Sequence, residues 1–204
     1  MVNELIQYWP ENISCICTTD KEINYSGKCY FTDERSLAAI SSMNAPQKFI
    51  AVVRMLNLRA KRNDLILVLD GLQDPGNMGA IIRTADWFNI DEIVCSKETV
   101  DVYNSKVVQS SMGSIFRIPV SYKNLNEYLS SSALPIYGAL LEGTNIYDQS
   151  LGRKGIIVIG NEGNGISNEI LELIQHPINI PRIGKAESLN ASVAAGIILS
   201  EFSR

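Results

Sequence analysis

Three stretches rich in Gly, Asn and small polar residues each follow an apolar run and carry the side chains best suited to chemistry. They are residues 70–79 (DGLQDPGNMG), 160–165 (GNEGNG) and 178–192 (INIPRIGKAESLNAS). Glycine allows positive φ angles and a close approach of the backbone to a ligand, and the start of a helix has unpaired N–H groups. The pattern therefore predicts a small-molecule site built from strand–loop–helix turns.

The common nucleotide-phosphate motifs do not fit these loops. A P-loop requires Gly-Lys-Ser/Thr after its glycines, and neither Gly-rich loop has that sequence. The dinucleotide fingerprint GxGxxG belongs in the first strand–helix turn, whereas residues 160–165 read GxxGxG and lie late in the chain. The loops predict a nucleoside-like ligand, and a dinucleotide-dependent oxidoreductase is a weaker alternative.

Each candidate side chain also has a purely structural interpretation. Ser188 or Asn190 can be the N-cap of the last helix, and Asn77 can cap an earlier one. Arg83 can be a solvated helix charge, and Glu162 can be a turn residue. Six residues at about 100° each leave Arg83 roughly 120° from Asn77 around a helix, so periodicity alone does not bring the two together.

The apolar pattern around the loops is that of an α/β protein. Strands are predicted at 65–69, 92–95, 115–120, 136–141, 155–160 and 178–180, and helices at 76–88, 105–112, 124–131, 168–174 and 189–202. This alternation predicts a mostly parallel sheet with helices on both faces, in which ligands lie beyond the carboxyl ends of the strands. The last helix is apolar nearly all round, which indicates either complete burial or an interface shared with a second subunit.

The first part of the chain reads as a separate, smaller α/β domain. Residues 1–56 contain a helix that ends before Pro10, strands at 13–17 and 49–55, and a helical stretch at 36–43. Residues 57–63 are polar and basic, as expected of a linker, so we expect the second domain to span 64–204.

Composition and charge limit the functional classes. The chain has 204 residues, 46% hydrophobic and 20% charged, which is ordinary for a globular protein. Residues 1–63 carry 8 basic and 6 acidic side chains, and residues 64–204 carry 10 and 16. The overall charge does not indicate a nucleic-acid partner, so the N-terminal part and a local patch must supply any phosphate contacts. The longest apolar run, 193–199, is far shorter than the ~20 residues of a spanning helix, and no leader opens the chain, which predicts a cytoplasmic protein without membrane contact.

The cysteines and the single histidine do not indicate a metal site. Cys15, Cys17, Cys29 and Cys95 form no CxxC pair, and His176 is distant from them in sequence. We expect reduced, mostly buried thiols and no bound metal. We expect a structural or solvated role for His176.

Taken together, the loops resemble the three motifs of the SpoU branch of the SPOUT RNA methyltransferases. The matching segments are 77–85 (NMGAIIRTA), 159–166 (IGNEGNGI) and 180–194 (IPRIGKAESLNASVA), in the family's order and spacing. The resemblance covers residues 64–204, and residues 1–56 resemble the small α/β RNA-binding domain that often precedes this fold. It implies methylation of an RNA ribose 2′-hydroxyl with S-adenosylmethionine, a homodimer, and a C-terminal trefoil knot whose loops form the cofactor pocket. The accessory domain favours rRNA over tRNA as the substrate, by analogy.

The resemblance also implies the site residues. The polar active-site positions are Arg83, Asn77, Glu162, Ser188 and Asn190. The cofactor positions are Leu140, Gly160, Asn161, Gly165, Ile180 and Leu189. Methyl transfer from a sulfonium requires in-line positioning and a nucleophilic oxygen rather than a metal.

Individual roles follow from the chemistry of these side chains. Arg83 matches the family's key arginine; because a guanidinium stays protonated, we expect it to bind the target phosphate and polarise the 2′-oxygen. Glu162 is the more plausible proton acceptor if burial tunes its pKa. Ser188 and Asn190 would orient the ribose or the cofactor. The alternative is a non-catalytic RNA-binding or assembly protein that retains the fold, and the intact polar positions argue against it.

The start of the chain departs from the family's pattern. Relatives with this architecture begin with a basic segment and an FxVEG-like strand, whereas this chain begins past that point, at Met1. We therefore expect the N-terminal domain to be shortened, which bears on RNA affinity more than on cofactor binding.

Overall fold

The chain folds into two compact units, Met1–Asn57 and Leu58–Arg204. The computed structural model describes residues 1–41, 43, 47–60 and 64–204. Residues 61–63 of the predicted linker, with Lys61 and Arg62, lie outside the described part of the chain, as does Ser42 of the predicted helical stretch 36–43.

The first unit is a three-stranded sheet with two helices. Its elements are α1 (Val2–Tyr8), β1 (Ile13–Thr18), β2 (Cys29–Phe31), α2 (Glu34–Ile40) and β3 (Phe49–Val53). The central strand β1 is parallel to β2 and antiparallel to β3. The sequence did not predict β2, because three residues are too few to show an alternating pattern.

The thiols are free, but the prediction that most are buried is wrong. Cys95 is buried, whereas Cys15, Cys17 and Cys29 are half-buried. These three lie on the central strand β1 and on its neighbour β2 in the small sheet of the first unit. A small unit has little interior in which to bury such side chains completely.

The second unit alternates strands and helices along the chain. Its elements are β4 (Leu65–Leu69), α3 (Pro75–Trp87), β5 (Glu92–Cys95), α4 (Ser105–Ser110), β6 (Val120–Tyr122), α5 (Leu125–Ser130), β7 (Ile136–Asn145), β8 (Gly155–Ile159), α6 (Asn168–Leu171), β9 (His176–Asn179) and α7 (Ala191–Phe202). The sheet has the order β6-β5-β4-β8-β7-β9, and every neighbouring pair is parallel. The predicted mostly parallel sheet is thereby confirmed.

Helices cover both faces of this sheet because successive residues of each strand point to opposite sides. Leu65, Leu67 and Leu69 of β4 belong to the hydrophobic cluster that includes α3 and α7. Ile66 and Val68 belong to the cluster that includes α5 and α6. Each fully buried aliphatic side chain contributes about 1.5–3 kcal/mol of transfer free energy, so the two clusters hold the loops at the strand ends in place.

The predicted strand at 115–120 is wrong. Ser114–Phe116 form a 3₁₀ helix, and the strand begins only at Val120. The Ser114 hydroxyl donates to the Asp86 carboxylate of α3 at 2.8 Å, and Arg117 Nε donates to it at 2.7 Å. These side-chain bonds tie the segment to α3, which an extended strand would not allow.

The last helix is neither wholly buried nor solvated. Ala195, Ile198, Leu199 and Phe202 are buried, but Val193 is 49% exposed. Burial within the monomer is therefore incomplete, and the shared interface stays a prediction, as does the knot. In the part of the chain that the structure describes, no helix is long and apolar enough to cross a membrane. The described residues also contain no group of three or more His, Cys, Asp or Glu side chains placed to hold a metal ion.

Candidate active site

Helix α3 starts in the loop after β4 and carries Asn77 in its first turn. Asp74 is the N-cap, since its carboxylate accepts the Asn77 backbone N–H at 2.7 Å, and Pro75 fills the first helical position. The alternative that Asn77 is itself the cap is therefore wrong. Its side chain is only 9% exposed and turns toward the other two loops.

Asn77 joins two distant segments of the chain. Its Nδ2 donates to Glu162 Oε1 at 3.1 Å, and its Oδ1 accepts from Asn190 Nδ2 at 2.8 Å. A carboxylate only accepts hydrogen bonds, so Asn77 must present its NH₂ to Glu162 and its oxygen to Asn190. The structure thus assembles one side chain from each of the three loops into what we call the Glu162–Asn77–Asn190 network.

Asn190 is at once a helix cap and a member of this network. Its Oδ1 accepts the backbone N–H of Ser192 at 2.9 Å and of Val193 at 3.3 Å. The structural interpretation of Asn190 as the N-cap of α7 is therefore confirmed, and Ser188 is not the cap. Because the oxygen is used by the helix, the NH₂ group remains for Asn77, and the network connects a carboxylate to the start of α7.

Glu162 fastens the loop after β8 to the loop after β4. Besides Asn77, it accepts the backbone N–H of Asp74 at Oε1 (3.2 Å) and that of Gln73 at Oε2 (3.3 Å). Burial raises the pKa of Glu162, but the hydrogen bonds from Asn77 and from the backbone of Glu162, Gln73 and Asp74 outweigh burial and leave the pKa lowered. Glu162 is predicted to be the proton acceptor if burial tunes its pKa; here hydrogen bonds outweigh burial, and the role itself stays a prediction.

The loop after β8 is closed by its own hydrogen bonds. Asn161 and Gly165 exchange both backbone bonds at 2.9 Å, and Asn161 Nδ2 donates to the Gly71 carbonyl at 2.7 Å. Gly71 and Gly165 have φ of +70° and +71°, which favours glycine, and a Cβ on Gly160 would collide with the Gly165 backbone. Loop closure thus accounts for Gly160 and Gly165, and the predicted contact of these two glycines and Asn161 with the cofactor stays a prediction.

Arg83 and Ser188 stand outside the network. Both side chains are exposed, and neither has a hydrogen bond or ion pair to a residue that the structure describes. Arg83 lies on the exposed side of α3 and does not converge with Asn77, in line with the separation of roughly 120° expected around the helix. Ser188 belongs to the segment 182–190, in which every residue is exposed.

The remaining predicted cofactor residues lie in or directly after three neighbouring strands. Gly160 follows β8, Ile180 follows β9, and Leu140 lies in β7 just beyond its pairing with β8. Leu140 and Ile180 are half-buried, and Leu189 is 48% exposed. Apolar side chains and backbone polar groups at one sheet edge suit an adenosine-like ligand, which has a flat apolar base with hydrogen-bonding edges. The residues present therefore fit S-adenosylmethionine.

Sequence reasoning missed two residues that hold Glu162. Asp74 had a recognisable signal, because Asp directly before Pro is a typical helix start. Gln73 contributes only its backbone N–H, which leaves no signal in the residue type.

Comparison with known proteins gives consistent matches. Residues 64–200 match the SpoU rRNA Methylase family. The chain is 35% identical over 176 residues to the 23S rRNA (guanosine(2553)-2′-O)-methyltransferase RlmP of Bacillus subtilis, covering 84% of this chain and 71% of that protein. It is 30% identical over 201 residues to the 23S rRNA (guanosine-2′-O-)-methyltransferase RlmB of Neisseria meningitidis, covering 91% and 80%. The solved structure of the AdoMet-bound rRNA methyltransferase from Sinorhizobium meliloti superposes with a TM-score of 0.80 at 26% identity, covering 98% and 82%.

Proposed function

This chain belongs to the SpoU rRNA methylase family, and on that premise we propose that it methylates a ribose 2′-hydroxyl of ribosomal RNA. S-adenosylmethionine is the cofactor, and the resemblance of the three loops to the SpoU motifs is confirmed. The relatives RlmP and RlmB are both named for guanosine 2′-O-methylation of 23S rRNA, which supports rRNA over tRNA.

The observation that carries the proposal is the Glu162–Asn77–Asn190 network. It links one polar side chain from each family motif through bonds of 3.1 and 2.8 Å, so the loops around the reaction site share one fixed geometry. Such fixed geometry is what an in-line displacement requires, because the reacting atoms must be aligned before the bond forms.

Arg83 is the residue we assign to the RNA. When bound, S-adenosylmethionine supplies a methyl group on a positively charged sulfonium. The exposed guanidinium of Arg83 has no partner among the described residues and offers five N–H donors in a planar fork. It would bind the phosphate of the target nucleotide and hold the 2′-oxygen in line.

The other site residues have supporting roles in this proposal. Glu162, with its lowered pKa, positions Asn77 and both loops rather than taking the proton. Ser188 would contact the ribose or the cofactor, since it lies exposed two residues before the Asn190 cap. Leu140, Ile180 and Leu189 would line the cofactor pocket.

Further features accompany the proposed activity. We infer that residues 1–56 contact the RNA, since residues 1–63 carry a small excess of basic side chains, 8 against 6. We infer a homodimer that uses α7, whose Val193 is apolar and 49% exposed. The proposal also includes a trefoil knot among the C-terminal loops. It further includes a cytoplasmic site of action, where rRNA is made and modified.

The test is methyl transfer to unmodified RNA. Purified protein, tritiated S-adenosylmethionine and 23S rRNA transcribed in vitro should yield labelled rRNA. The label should map to a single nucleotide that resists alkaline cleavage, because a 2′-O-methyl group blocks that reaction. A tRNA transcript serves as the control substrate and should stay unlabelled.

One result would favour the non-catalytic alternative. Calorimetric binding of S-adenosylhomocysteine near one per subunit, without turnover on any rRNA, would show an intact pocket that performs no methyl transfer. Labelled tRNA with unlabelled rRNA would keep the chemistry but overturn the assignment of substrate.

A further inference from the structure

A polar groove lies beyond the carboxyl ends of β4, β5, β6 and β8. It encloses about 770 Å³ and includes Asp70, Ser96, Asn124 and Asn161 from the four loops that follow these strands. That volume is in the range of small-molecule sites, roughly 300–1,000 Å³, and the carboxyl edge of a parallel sheet is where such folds hold ligands. None of the five polar active-site positions lines this groove.

The charges in the groove do not favour a phosphate group. Three carboxylates, those of Asp70, Glu98 and Glu169, face two lysines, Lys97 and Lys123. The cation of Lys123 is already engaged, at 3.5 Å from Glu92 Oε1 and 4.3 Å from the ring centre of Tyr128. An anion placed here would meet more negative than available positive charge, so the groove favours a neutral group.

Side-chain amides are the dominant free groups of the groove. Gln73, Asn126, Asn164 and Asn168 line it, and their amide groups make no hydrogen bond to a described residue. Each amide has two N–H donors and a carbonyl acceptor, which can match either kind of group on a ligand edge. The groove is therefore suited to a neutral molecule with several donors and acceptors.

A nucleobase has this chemistry. Proteins recognise RNA in sequence-specific fashion mostly through unpaired bases, which are splayed out and hydrogen-bonded along their edges. The groove is also lined by the apolar residues Leu125 and Ile170, which are 5% and 3% exposed. A flat base with polar edges uses both kinds of surface.

We propose that this groove binds an unpaired nucleobase of the RNA substrate, at a position other than the methylated nucleotide. The inference rests on the proposed function, because the occupant is part of that substrate. Asn161 and Gly165 line the groove and close the loop that carries Glu162. A base bound here therefore contacts the loop that organises the active site, and it sets the register of the RNA relative to Arg83.

The proposal is tested with the double variant Asn126→Ala/Asn168→Ala. Both side chains are exposed and line the groove outside the predicted catalytic and cofactor sets. Losing two base contacts should weaken the binding of in-vitro-transcribed 23S rRNA about tenfold, with a similar rise in KM for RNA. The kcat at saturating RNA and the affinity for S-adenosylhomocysteine should stay at wild-type values. The matched control is Gln109→Ala, an exposed helical amide outside the groove, which should bind RNA like the wild type.

Ultraviolet cross-linking locates the bound base directly. Irradiated complexes of the wild type with 23S rRNA should yield cross-linked peptides from residues 123–126 or 164–170, and the double variant should lose them. RNA affinity within twofold of wild type in the double variant would overturn the proposal, as would cross-links confined to other segments. Binding and cross-linking require no turnover, so they test the groove independently of catalysis. If the wild type binds RNA in the groove but never methylates it, only the proposed function is overturned.

Discussion

The two halves of the predicted active site are held in different ways. Asn77 is 9% exposed and bonded on both sides, and Glu162 accepts three hydrogen bonds from the segment 70–79. Arg83 and Ser188, in contrast, have no hydrogen-bond or ion-pair partner among the described residues. The protein alone therefore builds the frame of the site, and the two side chains that we propose to contact RNA or cofactor are not held by it.

This division predicts opposite consequences for mutations in the two halves. A change in the frame breaks hydrogen bonds that the folded protein makes, so it should lower the free energy of unfolding as well as activity. A change at Arg83 or Ser188 would remove only contacts made in the complex, so activity should fall while stability stays constant.

The largest effect is expected for Arg83→Ala. If Arg83 holds the target phosphate and the 2′-oxygen, turnover should fall on the order of 10²–10³-fold, as when one donor to a developing charge is removed. The melting temperature and the affinity for S-adenosylhomocysteine should stay at wild-type values, because the side chain is exposed and unbonded. The measurement is single-turnover methylation of 23S rRNA, together with calorimetry.

Arg83→Lys is the matched control for charge. It keeps a cation but loses the planar fork, so it should recover only part of the rate. Unchanged turnover in Arg83→Ala would remove Arg83 from the mechanism, and a large drop in melting temperature would move it into the frame.

The next largest effect is expected within the frame. Asn77→Ala should cost about 1–3 kcal/mol of unfolding free energy, because the partner groups on Glu162 and Asn190 lose their hydrogen bonds. Asn190→Ala should cost about 0.5–2 kcal/mol, since it also removes the cap of α7. In urea denaturation, the double variant should lose less than the sum of the single variants, by about 0.5 kcal/mol or more.

The variant Asn104→Ala tests whether loss of a helix cap alone reduces methyl transfer. Asn104 caps α4 by accepting the Lys106 backbone N–H at 2.9 Å and lies outside the three loops. Its replacement should lower stability but leave methyl transfer intact. Additive losses for Asn77→Ala and Asn190→Ala would show that the two side chains are not coupled in solution.

The difference between the halves also explains what the sequence could predict. Strands β4 and β5 were predicted to the residue, because each is a short apolar run bounded by polar residues. The strand predicted at 115–120 failed because Ser114 and Arg117 bond to Asp86, a contact that no local pattern reveals. Local apolar patterns thus predict the strands of the sheet, but they do not reveal side-chain hydrogen bonds between distant segments.

The site shows the same limit. Resemblance identified Asn77, Glu162 and Asn190, but not their mutual bonds, which join positions 85 and 113 residues apart. The sequence predicted no direction for the pKa shift of Glu162, because the hydrogen bonds from Asn77 and from the backbone of Glu162, Gln73 and Asp74 outweigh burial. These contacts exist only once the fold brings the loops together.

The smallest effect, and the one that most directly tests Glu162 as part of the frame, is the pH dependence of Glu162→Gln. The pKa of Glu162 lies below its ordinary value of 4.5, so the fold favours the carboxylate. That stabilisation is fully present above about pH 4.5 and is lost as the pH falls through the lower pKa of the folded state. At neutral pH, the wild type should therefore have a higher melting temperature than Glu162→Gln. This difference in melting temperature should shrink below about pH 4.5. Glu98→Gln is the control, because the Glu98 carboxylate makes no hydrogen bond to a described residue, and it should show no comparable difference. If Glu162 is a positioning residue, kcat should also be constant from about pH 6 to about pH 8. A step in kcat within that range that disappears in Glu162→Gln would instead identify Glu162 as the proton acceptor.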